Sequence, residues 1–407
     1  EANFPMFVVF TSGTTGKPKG LVHTHALVAG LVESMRVCFN VDPATDRMLT
    51  VAGLGWITGQ SYQVSAVLAS RITAVLMRGS PVSPSMTRFA EVILKHKVTI
   101  LKAGSAFLRE VMSHSDGMQQ VKDMHTGSVL KVASFCAEPV SEAVHTFAME
   151  SVCENYINCY WATEHGAIAW GRRFRDVAQP LRPNAHTWPM GWVEADVFVY
   201  SADRPELMDC WEARRADAGE RGEVVCTSPF PSMFRYVWGN ADNFGNPGWT
   251  GDREIMLGRY WRKTRLPDSE ELWAYVQGDF AVKHPGGSYT FHGRSDEVLN
   301  VNGILYGTEH LEGALLRDQY LSAESVVGQC LVVGYPDTVA GEVPLAFIVP
   351  ALGRSLDLAA RWKLYNLVQH TVGPVQMKFV SVSELPRTFT GKLVRRVVRS
   401  MSRGEPP

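Results

Sequence analysis

The chain has 407 residues, 45% of them hydrophobic and 20% charged, with 40 Lys and Arg against 41 Asp and Glu for a formal net charge of −1. This is the composition of a soluble globular protein, long enough for two or three domains with substantial cores. The balanced charge speaks against nucleic acid or an anionic membrane surface as a bulk partner.

Seven cysteines, scattered and without a C-x-x-C pair, fit reduced thiols in the cytoplasm better than a disulfide framework or a zinc site. No apolar run is long enough to cross a bilayer. The chain starts at Glu1 and reaches an apolar β-like run by Phe7. It is therefore read as a piece of a longer product, with a targeting peptide upstream left open.

After the strand-like run 7–10 comes Thr11-Ser12-Gly13-Thr14-Thr15-Gly16-Lys17-Pro18-Lys19-Gly20, then a helix-like run over 24–35. The glycines allow positive φ and let N–H groups converge on an anion, while hydroxyls and lysines add donors and charge. The pattern is a phosphate cradle but not the Walker form, because two residues separate Gly13 from Gly16 and Pro18 follows Lys17. Alone, such a loop reads better as a solvated turn.

Further along, strands are expected over 72–76, 98–101 and 129–133, alternating with helices over 87–96, 105–113 and 141–150. Alternation of this kind implies βαβ units and a largely parallel sheet, with ligands beyond the carboxyl ends of its strands. Residues 52–62 read as a Gly-bounded turn around a core Trp56. From 193 to 293 short strands with Gly and Pro turns imply a smaller β subdomain, in which the charged stretch 261–271 reads as a surface insertion. From about Asp296 the texture is a compact α+β tail, with helices over 308–316 and 359–371, strands over 325–334 and 345–349, and a basic closing segment.

Five ordered motifs, from Phe7 to Arg399, resemble the adenylate-forming superfamily, in the form found in acetyl- and propionyl-CoA synthetases. They are the 11–20 loop, Asn158-Cys159-Tyr160-Trp161-Ala162-Thr163-Glu164-His165-Gly166, the Gly278-Asp279 turn, Gly293-Arg294-Ser295-Asp296-Glu297, and Thr390-Gly391-Lys392. Each has a plainer reading taken singly: aromatic core, common turn, basic helix start. Their chemistry agrees with the resemblance. Tyr and Trp offer flat surfaces to a purine or a small pocket, Glu164 is a hard oxygen donor suited to Mg²⁺ on a triphosphate, and a carboxylate such as Asp279 can accept from a ribose diol.

The resemblance implies ATP, Mg²⁺ and coenzyme A as cofactors and co-substrates, and a small carboxylic acid as substrate. It implies ATP or AMP contacts from Thr11, Ser12, Gly13, Thr14, Thr15, Gly16, Lys17 and Lys19. Ala137, Glu138 and Pro139 would pack on adenine, and Asn158, Cys159, Tyr160, Trp161, Thr163, Asp279 and Arg294 would complete the nucleotide site. Lys392, Thr163, Glu164 and Arg294 would be catalytic, with Glu164 as the metal ligand. Ile57, Thr58, Cys136 and Trp161 would line the acyl pocket, Trp161 as its floor. Asn302 and Gly303 would border the coenzyme A tunnel, and Asp296 would be a hinge.

The expected fold is α/β: a large domain of mostly parallel sheets flanked by helices plus a small β subdomain (1–295, with 193–293 the β part), followed by a small mobile α+β domain (296–407). The segment that relatives place before the phosphate loop is not in this sequence. Leu305 stands where relatives carry a phosphate-contacting Arg, and the helix before Gly373-Pro374 reads Val368-Gln369-His370-Thr371, where an Arg usually meets coenzyme A. The expected activity is an acid–thiol ligase forming an acyl-adenylate and then an acyl-CoA. The alternative is a non-catalytic or carrier-protein-directed adenylation domain of a larger multifunctional synthase, with other domains as partners.

Overall fold

The computed structural model describes residues 2–11, 18–114, 116–136, 140, 142–176, 178–179, 181, 186–201, 210–268, 271–302, 304–321, 325–337, 340–387 and 393–405, with the backbone alone at 296, 298, 300, 305, 320, 321 and 341. A five-stranded sheet runs in the order Thr73–Val75, Arg47–Val51, Ile100–Gly104, Val132–Cys136, Tyr156–Asn158. Every pairing in it is parallel. Helices Arg88–His96, Ala106–Met112 and Glu142–Ser151 are the crossovers, close to the expected positions. Strands covered on both faces read as continuous apolar runs rather than alternating ones; Val132–Cys136 is buried at all five positions.

The phosphate-cradle segment departs from the expected strand–loop–helix order. Pro5–Phe10 and Gly20–Thr24 form an antiparallel hairpin, and Tyr236–Val237 adds a third strand. The helix starts only at Leu27 and runs to Phe39. Gly20–Thr24 is wholly buried between its two neighbours. Its backbone groups find ladder partners on both edges there, so the local helix signal over 24–35 loses its first turn to tertiary pairing.

A second β unit holds strands Arg221–Cys226, Ala195–Tyr200, Trp211–Arg215, Trp261–Arg265, Glu271–Lys283 and Tyr289–Arg294 in that order. Arg221–Cys226 also pairs with Glu271–Lys283, closing five of these strands into a ring. The 261–271 stretch is therefore no surface insertion. Trp261–Arg265 lies between Trp211–Arg215 and Glu271–Lys283, and Thr264 is fully buried. Its charges are accommodated locally: the Arg262 guanidinium sits 4.5 Å from the Trp211 ring centre and 4.8 Å from that of Tyr200, and it pairs with Glu223 at 2.5 Å. Trp56 is half-buried rather than core; Ile57 and Thr58 take the interior places instead.

The tail forms its own sheet, Ile304–Gly307, Val298–Val301, Gly341–Pro350, Val327–Asp337, with Lys378–Ser381 joined in parallel to Gly341–Pro350. Helices Thr308–Leu321 and Leu358–Thr371 cover it. The second is capped by Asp357, whose carboxylate accepts from the Ala360 N–H at 2.8 Å. Asn302 has φ 53°, a positive φ that Asn tolerates, just after the strand Val298–Val301 that pairs with Ile304–Gly307 as a hairpin. Buried apolar side chains of the tail pack among themselves, as Leu299, Leu311, Val332, Ile348 and Leu364 do. Arg395 ties the closing helix down, meeting Glu297 at 3.1 Å and Glu312 at 2.5 Å. Among the described residues no helix is long and apolar enough to cross a membrane.

Candidate active site

The chain beyond the carboxyl end of Tyr156–Asn158 meets the second β unit. Beyond Asn158, Tyr160 pairs through its backbone with Trp170. Its ring stacks on Phe291, with centroids 3.5 Å apart and planes 5° apart. The Tyr160 hydroxyl donates to Asp279. Burial and the Asp279 carboxylate push that phenol well above its ordinary pKa, so it stays a donor.

Asp279 follows Gly278, whose φ of +81° is the left-handed conformation glycine adopts freely. A Cβ at Gly278 would stand 3.2 Å from Arg294 Nη2. Arg294 Nη1 donates to the Gln277 carbonyl at 2.8 Å and lies 3.8 Å from Asp279. Gln277 Nε2 in turn donates to Glu164 at 3.2 Å. Tyr260 also meets the Glu164 carboxylate, and burial together with that carboxylate raises the Tyr260 pKa. Tyr160, Glu164, Asp279 and Arg294, expected from three separate motifs, thus form one connected network.

Glu164 sits in the short turn Thr163–His165. Gly166 closes that turn at φ +71°, with the Ser232 carbonyl 2.3 Å from where a Cβ would be; only glycine fits. The Glu164 carboxylate is nearly enclosed and accepts from neutral donors. Among the described residues no other carboxylate or imidazole joins it in a three-ligand cluster. One buried carboxylate is what Mg²⁺ requires when phosphate oxygens and water supply the remaining positions, so the residue fits that role.

His165 is fully buried, with Nδ1 accepting from the Ala162 N–H at 3.1 Å. Burial lowers its pKa to about 3. The unfolded chain therefore takes up this proton first: the stability is fully present above about pH 6.5 and is lost as pH falls toward 3. From pH 7.5 to pH 5 the loss through this residue should be about 2 kcal/mol. Comparing denaturant unfolding of the protein and His165→Asn isolates it from Glu309, whose raised pKa of about 7 works in the opposite direction. An unchanged slope in the variant would assign the acid sensitivity elsewhere.

The expected acyl-pocket residues also converge. Ile57, Cys136 and Trp161 share one buried cluster with Tyr62. The Cys136 thiol donates to the Ala103 carbonyl at 3.4 Å, and burial raises its pKa. Trp161 meets Tyr62 edge to face at 5.2 Å.

Lys102 belongs to this cluster and was not among the expected residues. It is fully buried, and its Nζ has no hydrogen-bond acceptor among the described residues. It lies 4.4 Å from the Tyr62 ring centre, 5.3 Å from that of Trp161 and 5.9 Å from that of Phe39. Aromatic faces return about 0.5–2 kcal/mol to a cation, against several for taking it out of water.

Thr11 and Lys19 bracket the phosphate loop: the Thr11 N–H donates to the Lys19 carbonyl at 2.9 Å, and the Lys19 N–H donates to Thr11 Oγ1 at 3.3 Å. Asn158 ends its strand, aligned with Phe135. Cys159 is buried in the core beside Cys38. Thr163 is half-buried. Asp296 lies in the turn Ser295–Glu297, its side chain outside the described atoms. Residues 12–17, Ala137, Glu138, Pro139, Gly303 and Lys392 lie outside the described residues. Gln369, in the helix before Gly373-Pro374, donates to the Val375 carbonyl at 2.6 Å.

Residues 1–238 match the AMP-binding enzyme family and residues 318–392 match the AMP-binding enzyme C-terminal domain. The chain belongs to the AMP-binding enzyme family. It is 31% identical over 414 residues to an acetyl-coenzyme A synthetase of Chromobacterium violaceum, covering 99% of this chain and 57% of that one. It is 29% identical over 412 residues to the acetyl-coenzyme A synthetase of Pyrobaculum aerophilum, covering 100% and 56%. The chain thus spans little more than half the length of these relatives. The fold is shared with an anthranilate CoA ligase, AuaEII, solved with anthranoyl-AMP (TM-score 0.75, 21% identity, 98% of this chain and 67% of that one). It is also shared with ATP-bound MatB from Rhodopseudomonas palustris (TM-score 0.71, 18% identity, 97% and 67%).

Proposed function

We propose that the protein activates a short-chain carboxylic acid with ATP, forming an acyl-adenylate and pyrophosphate, and then passes the acyl group to coenzyme A with release of AMP. The observation that carries this reading is the network joining Tyr160, Glu164, Asp279 and Arg294 across segments more than a hundred residues apart. Tyr160 packs against the buried cluster that holds Ile57, Tyr62, Cys136 and Trp161.

Asp279 would accept from the ribose hydroxyls, with Tyr160 and Arg294 fixing its orientation. Arg294 would also face the phosphates. The acid is already ionised near neutral pH, so its attack on the α-phosphorus needs no general base. What these residues supply is alignment and positive charge where negative charge develops. Mg²⁺ held by Glu164 would neutralise charge on the triphosphate when bound. The domain division is proposed at 295/296, with Asp296 as the hinge. Acetyl-CoA synthetase relatives and the bulk of Trp161 support a small acid. Acid-dependent exchange of pyrophosphate into ATP tests the reading.

A further inference from the structure

The parallel sheet carries one polar rung through an otherwise apolar interior. Thr50, Lys102 and Ser134 are aligned across three adjacent strands, and all three are buried. They share a face with Ile100, Val132 and Cys136, which belong to the same cluster as Trp161 and Tyr62. Neither Thr50 Oγ1 nor Lys102 Nζ has a hydrogen-bond partner among the described residues.

Lysine side chains normally reach out to water. This one turns inward, onto the faces of Tyr62 and Trp161, at the wall and floor assigned to the acyl pocket. A buried ammonium without an acceptor is costly unless something binds it. An acid whose chain were purely alkyl would press methyl groups against it and leave it unpaired.

We propose that Lys102 binds a second oxygen acceptor at the distal end of the acid, and that the substrate class is therefore short acids bearing a distal carboxylate or keto oxygen rather than simple fatty acids. This rests on the acyl-activating reading and refines it. The small pocket limits such acids to short chains, and the Thr50 hydroxyl on the same rung is a second donor for the same oxygen.

The test measures pyrophosphate exchange with butyrate, 3-oxobutyrate, malonate and succinate in the protein, in Lys102→Met and in Lys102→Arg. It also measures thermal stabilisation by each acid without ATP. The protein should favour one or more of the acceptor-bearing acids over butyrate by about 10² or more in kcat/KM. The keto acid and the dicarboxylates separate a hydrogen-bond preference from a charge preference. Lys102→Met should lose that factor on acceptor acids and turn its preference to butyrate, and Lys102→Arg should recover part of it.

Equal acid ranking in the protein and Lys102→Met, with both folded by circular dichroism, overturns the proposal. If no acid supports exchange, yet an acceptor acid stabilises the protein and not Lys102→Met, the anchoring role stands and the catalytic reading falls. If no acceptor acid stabilises the protein or is turned over, the Lys102 proposal falls.

Discussion

Lys392→Ala is expected to slow acyl-adenylate formation by roughly two to three decades, the usual cost of removing one preorganised charge contact at a developing oxyanion. Lys392 itself lies outside the described residues, but the residues that flank 388–392 are held on both sides. Arg387 and Leu393 form an antiparallel bridge, and the Val394 N–H donates to the Pro386 carbonyl at 2.9 Å. Arg395, two residues beyond Leu393, is locked to Glu297 and Glu312. That anchor joins the closing helix to the turn proposed as the hinge and to the helix Thr308–Leu321. A lysine so mounted would move with the tail as a unit, entering the site in one orientation and leaving it in another. The variant, given synthetic acyl-adenylate and coenzyme A, should therefore make thioester at close to the parental rate. Equal loss of both half-reactions, with fold and nucleotide affinity intact, would contradict both the two-orientation scheme and the Asp296 hinge. No loss in either would make Lys392 a surface lysine with no part in the adenylation step.

Trp161→Gly is expected to move acid preference toward longer chains by something like 1–3 kcal/mol per accommodated methylene. Trp161 is only 6% exposed and packs against both Tyr62 and Lys102. Removing the indole leaves a cavity, and a fold cost of about 3–5 kcal/mol is typical for a buried Trp truncation. The comparison is therefore made on folded protein, as the ratio of exchange rates across an acid series. A parental chain-length ranking at undiminished activity would remove Trp161 from the pocket.

Much of this arrangement was legible in the amino-acid order, where local pattern and final environment agree. The runs around Leu101 and Val132 are apolar because the sheet covers them on both faces, and their spacing by helix-length segments announced the crossovers. Motif residues such as Tyr160, Glu164, Asp279 and Arg294 were legible because their types and order carry chemistry. What brings them together, the stacking of Tyr160 on Phe291 and the bridge through Gln277, was not.

Where non-local contacts decide, the local signal misled. Gly20–Thr24 became a strand because two other strands flank it. Trp261–Arg265 looked like a solvated insertion because its arginines and lysine conceal a strand whose charge is taken up by Trp211, Tyr200 and Glu223. Lys102 was missed for the converse reason. A single lysine near the end of an apolar run resembles a strand emerging into solvent. Its burial depends on Tyr62 and Trp161, contributed from the helical turn Gly59–Ser65 and from beyond the last strand of the sheet. A lone cation in a run otherwise buried on both faces was the one signal that could have found it.

The central claim is acid activation by adenylate formation, and exchange of labelled pyrophosphate into ATP reads that step without coenzyme A. The account predicts exchange that requires both Mg²⁺ and a short carboxylic acid, and that falls sharply in Asp279→Ala and Lys392→Ala. ATP binding without acid-dependent exchange, across acetate, propionate, butyrate, 3-oxobutyrate, malonate and succinate, would contradict it and leave a nucleotide-binding module in place of an enzyme.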